Sequence, residues 1–247
     1  MSKIMKTSSG LYDSMFCALS VAYHANLIQR MVKKNKSWNS KNKPKMLEIG
    51  CYDGRLYEFL KERWCFVDYS GVDYNPAFIG TKAYGDKRTR WYNCDITTDN
   101  LDSFIDDGSQ DFIVCSEVLE HIPYADHHKV YDIFYNKLSD NGILSVSFPE
   151  NTRDTEYHSL DKEKNLGHIF FPIHEDFLED MKAKGFNLVK YESGYTVKTT
   201  FGRKKIKDPV YQRLCDKVGP MLARNIYMLY TDEHTGGGYY LFSKSIS

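Results

Sequence analysis

A chain of 247 residues with 42% hydrophobic and 27% charged residues can bury an ordinary core in one α/β domain with additions, and is too short for two full domains. Its 33 Lys and Arg balance 33 Asp and Glu, and a net charge of zero disfavours a protein that lives on duplex nucleic acid. Six scattered cysteines, with no CxxC pair and no apolar leader ahead of them, read as free thiols of a cytoplasmic protein.

Residues 8–34 are expected to form an amphipathic helix, because Leu11, Met15, Phe16, Leu19, Tyr23, Leu27 and Met31 recur at helical spacing. Asp13 and His24 interrupt its apolar stretch, so no membrane span is expected. A basic linker follows, and residues 1–44 read as a helical N-terminal extension to a domain over 45–247. From residue 45 short apolar runs alternate with helical patterns: "MLEI", "RLYEFLKERW", "YSGVD", "TRWYN", "DFIVCSE", a helix within "ADHHKVYDIFYNKL", then "GILSVSF". That alternation predicts a Rossmann-like, mostly parallel sheet with helices on both faces. "HEDFLEDMKAKGFNLVKYES" adds a helix, a Gly stop and a strand; an insertion over about 194–237 separates it from a last strand, "YYLFSKS".

In an open α/β sheet, ligands bind beyond the carboxyl ends of the strands. Gly50 and Gly54, in "MLEIGCYDGRL", mark a turn where a ligand meets backbone without colliding with a Cβ. Glu48, Asp73 and Asp95 end three successive strands and are expected to face one crevice. A carboxylate at Asp73 can take both hydroxyls of a ribose. Asp95 suits an exocyclic adenine amine, with the Ile96 backbone at the ring. Such an acidic crevice suits a ligand with a ribose, an amine and a positive charge.

Taken in order, "LEIGCYDG", "GVDYNP", "NCDITT" and "DFIVCSEVLEHIP" resemble the motifs of class I S-adenosylmethionine-dependent methyltransferases. "GHIFFPIHEDFLEDMKAKGF" is similar to a late segment of their small-molecule, ubiquinone-biosynthesis-like branch. The resemblance implies a seven-stranded sheet with an antiparallel last strand and S-adenosylmethionine as cofactor. It implies Glu48 and Gly50 by the methionine moiety, Asp73 on the ribose and Asp95 with Ile96 at the adenine, with Tyr52, Gly54, Tyr74 and Ser116 as further cofactor-site candidates. Two departures stand out. Tyr52 occupies the place of the usual middle glycine, and "DNG" at 140–142 replaces a Pro-Gly-Gly turn.

Methyl transfer from a sulfonium asks the protein mainly to position an acceptor; a hydroxyl acceptor also wants a base or a metal. In "EVLEH", a helix starting near Glu117 would put Glu117, Glu120 and His121 on one face, and His168 could join them. That set suits Mg²⁺ or Mn²⁺ and resembles the metal sites of ubiquinone-biosynthesis O-methyltransferases and of ribose 2′-O-methyltransferases acting at small-RNA 3′ ends. Glu117, His121 and His168 are equally candidates for a metal-free base or positioning role, or for a structural one. His127 and His128 read as surface residues of a helix. Arg203, Lys204, Lys205 and Lys207 in the insertion could meet a substrate anion or form a solvated face. Three functions stay open: O-methylation of a hydroxylated small molecule such as a sugar, metal-dependent RNA ribose 2′-O-methylation, and a non-catalytic cofactor-binding scaffold.

Overall fold

The computed structural model describes residues 8–62, 65–77, 89–149, 151, 168–193 and 237–245. The expected insertion, with its basic run at 203–207, lies outside the described residues but for its last residue, as does most of the segment 150–165.

The expected architecture is present. The chain runs α1 (Ser8–Lys34), β1 (Lys45–Ile49), α2 (Arg55–Glu62), β2 (Asp68–Asp73), β3 (Thr89–Asn93), β4 (Gln110–Ser116), α3 (His127–Lys137), β5 (Leu138–Pro149), α4 (His174–Ala183), β6 (Phe186–Ser193) and β7 (Gly237–Lys244). The seven strands form one sheet in the order β3-β2-β1-β4-β5-β7-β6. β1 pairs in parallel with β2 on one side and β4 on the other, so the strand order reverses at β1 and opens a crevice beyond its tip. β7 is antiparallel to both β5 and β6.

Both faces of the sheet are covered, and the period-2 alternation of the strands decides how. Met46, Tyr69, Phe112 and Val114 pack against Val21, Ala25 and Ile28 of α1 and Leu56, Phe59 and Leu60 of α2. Leu47, Ile49, Ile113, Cys115, Leu144 and Val146 point the other way, onto Val130 and Phe134 of α3 and Phe177 and Met181 of α4. The N-terminal helix is thus part of one core layer. Gly185, at φ 97°, stops α4 as the sequence suggests. The 140–142 segment is not a free turn: it lies inside β5, where the ladder skips from Gln110↔Leu138 to Phe112↔Ile143. Cys51, Cys65, Cys94 and Cys115 are free and buried. No helix among the described residues is long and apolar enough to cross a membrane.

Candidate active site

The turn after β1 is built from left-handed backbone. Gly50, Tyr52 and Gly54 have φ of 72°, 46° and 82°. The Gly50 and Cys51 amides donate to the Val72 carbonyl at 2.9 and 3.0 Å, folding the turn back on β2. A Cβ at Gly50 would lie 2.2 Å from Val118 Cγ2, and one at Gly54 2.6 Å from Trp91 Cη2, so both positions are closed to any side chain. Tyr52 carries the left-handed strain of a non-glycine residue, about 1–2 kcal/mol. Its ring is 42% exposed and lies under the Arg55 guanidinium at 4.9 Å, while Arg55 forks onto Asp53 at 2.9 and 3.1 Å. The tyrosine that stands in place of the motif's middle glycine thus shares the left-handed backbone of the two glycines flanking it.

The three strand-end acids sit at the same end of neighbouring parallel strands. Glu48 is buried and accepts a hydrogen bond from the Tyr69 hydroxyl. Burial pushes its carboxyl up to about 8; the Tyr69 hydrogen bond opposes this, and the charges of Asp53 and Asp73 add to it. Asp73 accepts from the Tyr52 amide and the Asn75 amide, both at 2.9 Å, and so ties the tip of β2 to the glycine turn. Sequence reasoning gave Asp73 a ligand and missed this second task. Beyond β3, Asp95 accepts from the Thr97 amide and hydroxyl at 2.9 and 2.7 Å, and the next residue, Ile96, is buried. Tyr74 is 72% exposed at the rim.

The tip of β4 differs from expectation. No α-helix starts at Glu117; its φ is +56°, and a single 3₁₀ turn covers Leu119–His121. The helix pattern misled because the Glu117 amide donates across to the Ser147 carbonyl at 2.8 Å and the bonds that follow, such as His121 N–H to the Val118 carbonyl at 2.9 Å, close only a 3₁₀ turn. Glu120, His121 and His168 nevertheless come together, with one ligand atom from each within 4.8 Å of the others. His168 Nε2 is 4.0 Å from Glu120 Oε1, and the two imidazole rings meet edge to face at 4.8 Å. Glu120 is fully buried, and neither carboxylate oxygen has a hydrogen-bond partner. Burial, then the nearby Glu117 carboxylate, hold its carboxyl well above the usual range. Glu117 stands beside Glu120 but outside the three-residue cluster: its Oε1 lies 2.9 Å from Ser147 Oγ, which donates to it, and 3.2 Å from Ser20 Oγ.

Main-chain bonds keep the cluster assembled. The Glu120 carbonyl accepts from the Ile169 and Phe170 amides at 2.9 and 3.2 Å, which holds the His168 segment against the turn. His127 is 1% exposed, which corrects its reading as a surface residue; His128 is exposed. His127 Nε2 lies 3.0 Å from both the Leu119 and Ile122 carbonyls, so that nitrogen carries the proton and clamps the turn. Its Nδ1 then accepts from the Tyr131 hydroxyl at 3.1 Å. The missed signal was a stripe: His127, Val130, Tyr131 and Phe134 share the buried face of α3. Ser20, His24, Ser145 and Ser147 were missed as well, and gather beside Ser116 and Glu117.

Comparison with known proteins bears on the family and the fold. An uncharacterized protein of Rickettsia prowazekii is 25% identical over 208 residues, covering 76% of this chain and 36% of its own length. A trans-aconitate 2-methyltransferase of Enterobacter sp. is 27% identical over 118 residues, covering 48% of this chain and 44% of its own length. The chain thus spans less than half the length of these curated relatives. The crystal structure of an S-adenosylmethionine-dependent methyltransferase from Archaeoglobus fulgidus superposes with a TM-score of 0.55 at 18% identity, covering 90% of this chain and 94% of that one. The methyltransferase domain family matches residues 21–191, from the middle of α1 into β6, and the chain belongs to that family, with the fold of the S-adenosylmethionine-dependent enzymes.

Proposed function

We propose that the protein is a cytoplasmic S-adenosylmethionine-dependent methyltransferase of the small-molecule branch, acting on a hydroxyl of an acceptor such as a sugar or another metabolite. The observation that carries the reading is the reversal of strand order at β1, where Glu48, Asp73 and Asp95 lie at or just past the ends of β1, β2 and β3 and the left-handed turn 50–54 follows β1. The space a Cβ would take at Gly50 and Gly54 is occupied by Val118 and Trp91, so these glycines let the turn close against its own walls, and the reading rests on the turn's place at the tip of β1. When bound, S-adenosylmethionine supplies a methyl group already activated on a sulfonium. Glu48 would meet the positively charged end, Asp73 the ribose, and Asp95 with Ile96 the adenine. The named acceptor of the Enterobacter relative is itself a small molecule, which agrees with the neutral charge of this chain.

Isothermal titration with S-adenosylhomocysteine tests the reading. Wild type is expected to bind, and Asp73→Ala to lose about tenfold in affinity, the worth of one or two hydrogen bonds to a charged group. Unchanged affinity in that variant would remove Asp73 from the site. A labelled-methyl screen of sugars, phenols and short RNAs then identifies the acceptor; transfer to RNA alone would replace the small-molecule reading. Binding without transfer to any acceptor would leave a scaffold.

One observation favours a metal-assisted form of this chemistry. Glu120 is a wholly buried carboxylate without a hydrogen-bond partner, facing two imidazoles. An unpaired buried acid costs several kcal/mol unless it is protonated or meets a cation. Glu120, His121 and His168 suit Mn²⁺ or, with water completing the shell, Mg²⁺. A bound ion supplies Lewis acidity that makes an acceptor hydroxyl easier to deprotonate. Without it, His121, exposed at the mouth of the cluster, is the base we assign. Mn²⁺ titration followed by electron paramagnetic resonance is expected to show one bound ion in wild type, and at least about tenfold weaker binding in Glu120→Gln. Equal binding in both proteins sinks the metal reading.

A further inference from the structure

The family match begins at residue 21, yet the polar face of α1 reaches the tip of β4. Ser20 and His24 are both fully buried, and their partners lie almost a hundred or more residues away in sequence. His24 Nδ1 is 2.8 Å from Ser145 Oγ, and its Nε2 is 3.1 Å from Ser147 Oγ. Ser147 Oγ donates to Glu117 Oε1 at 2.9 Å. A hydroxyl has one proton, so Ser147 must accept from His24 Nε2–H, which leaves Nδ1 to accept from Ser145. The bonds then run one way, Ser145 to His24 to Ser147 to Glu117. Ser20 Oγ, 2.5 Å from Ser116 and 3.2 Å from Glu117 Oε1, reinforces the end of the chain by donating its one proton to Ser147 Oγ at 2.7 Å, since Ser147 spends its own on Glu117.

This chain ends on a residue in an unfavourable conformation. Glu117 holds φ +56°, a region that costs a non-glycine residue energy and persists only where its surroundings over-determine it. The next residue, Val118, is the one whose Cγ2 closes the space above Gly50. Any relaxation of Glu117 therefore moves the wall of the glycine turn. Ordinary packing of α1 needs none of this: Val21, Ala25 and Ile28 already bury its apolar face on α2 and the sheet. A buried Ser–His–Ser–Glu chain is a costly way to glue a helix, since each group must find its partner in a low-dielectric interior.

We infer that Ser20 and His24 of α1 are positioning residues, holding Glu117 in its left-handed conformation and so setting Val118 against the cofactor turn at Gly50. The N-terminal helix is on this reading a working part of the methyl-transfer site. The binding readout rests on the cofactor assignment above.

The test is a pair of double-mutant cycles on the full chain, read by titration with S-adenosylhomocysteine. Ser20→Ala and His24→Gln are each combined with Glu117→Gly, which removes the carboxylate and suits the positive φ. Each α1 variant is expected to weaken binding about fivefold in the wild-type background, and by less than about twofold where Glu117 is absent. Equal losses in both backgrounds would mean that α1 acts by packing alone, and would overturn the inference. Should wild type bind no S-adenosylhomocysteine, the cofactor assignment fails, and urea unfolding reads the inference independently. There Ser20→Ala is expected to raise the unfolding equilibrium constant about fivefold with Glu117 present and under about twofold with it absent. The same rise in both backgrounds overturns it.

Discussion

Glu48→Gln is expected to be more stable than the wild-type protein in alkaline buffer and to lose that advantage in acid. Burial holds the Glu48 carboxyl near 8 in the folded chain, against 4.5 for an ordinary glutamate. Between those values the unfolded chain has released the proton and the folded chain still holds it. The folded state then binds more protons, so wild-type stability falls as pH rises from about 4.5 to 8 and levels off above. A displacement of this size corresponds to at most about 5 kcal/mol. Glutamine keeps an oxygen to accept from Tyr69 and has no proton to lose. The difference between the two unfolding free energies, measured in urea at pH 4.5, 6, 7.5 and 9, should therefore grow with pH and saturate above 8. A difference independent of pH would mean that Glu48 is ionised in the folded state throughout.

The same carboxyl links stability to binding. A cationic ligand at the tip of β1 favours the ionised form of Glu48, so affinity for S-adenosylmethionine is expected to climb with pH through about 8 in wild type. In Glu48→Gln that climb should vanish. The neighbours Asp53 and Asp73 sharpen this, since each already carries backbone or arginine contacts and together they raise the cost of a third negative charge.

The sequence made the frame legible because its signals are local. A buried parallel strand shows as an apolar run, and its end at Glu48 or Asp73 shows as an acid followed by a turn. Gly50 and Gly54 are visible because no other residue fits where a wall stands within 3 Å. What stayed hidden depends on partners far away in the chain. "EVLEH" reads as the start of a helix by spacing alone; only the hydrogen bond from the Glu117 amide to the Ser147 carbonyl, with Glu117 at φ +56°, reveals a left-handed kink and a short 3₁₀ turn. His127 looks like one of two adjacent surface histidines until the carbonyls of Leu119 and Ile122 are seen to share its proton. The helical period of α1 marks its apolar stripe, and says nothing of Ser20 and His24 because polar side chains carry no periodic signal of burial.

The largest acid effect should come from that hidden face. His24 is wholly buried among serine hydroxyls, and burial alone lowers its pKa from 6.5 to about 3. Below 6.5 the unfolded chain takes up a proton that the folded chain refuses. Stability from this group is thus complete above pH 6.5 and is lost progressively as pH falls towards 3, by up to about 5 kcal/mol. His24→Gln is expected to be less stable than wild type at pH 7.5 by about 1–3 kcal/mol, because one serine loses its ring-nitrogen partner. Glutamine does not titrate, so the variant should lose less on acidification. Compared by urea unfolding, the gap between the two proteins should narrow from pH 6.5 downwards and close or invert by pH 4. Parallel curves across that range would mean that His24 is charged in the folded protein. The directional chain from Ser145 to Glu117 could not then exist, since an imidazolium donates at both nitrogens and leaves Ser145 with no acceptor on the ring.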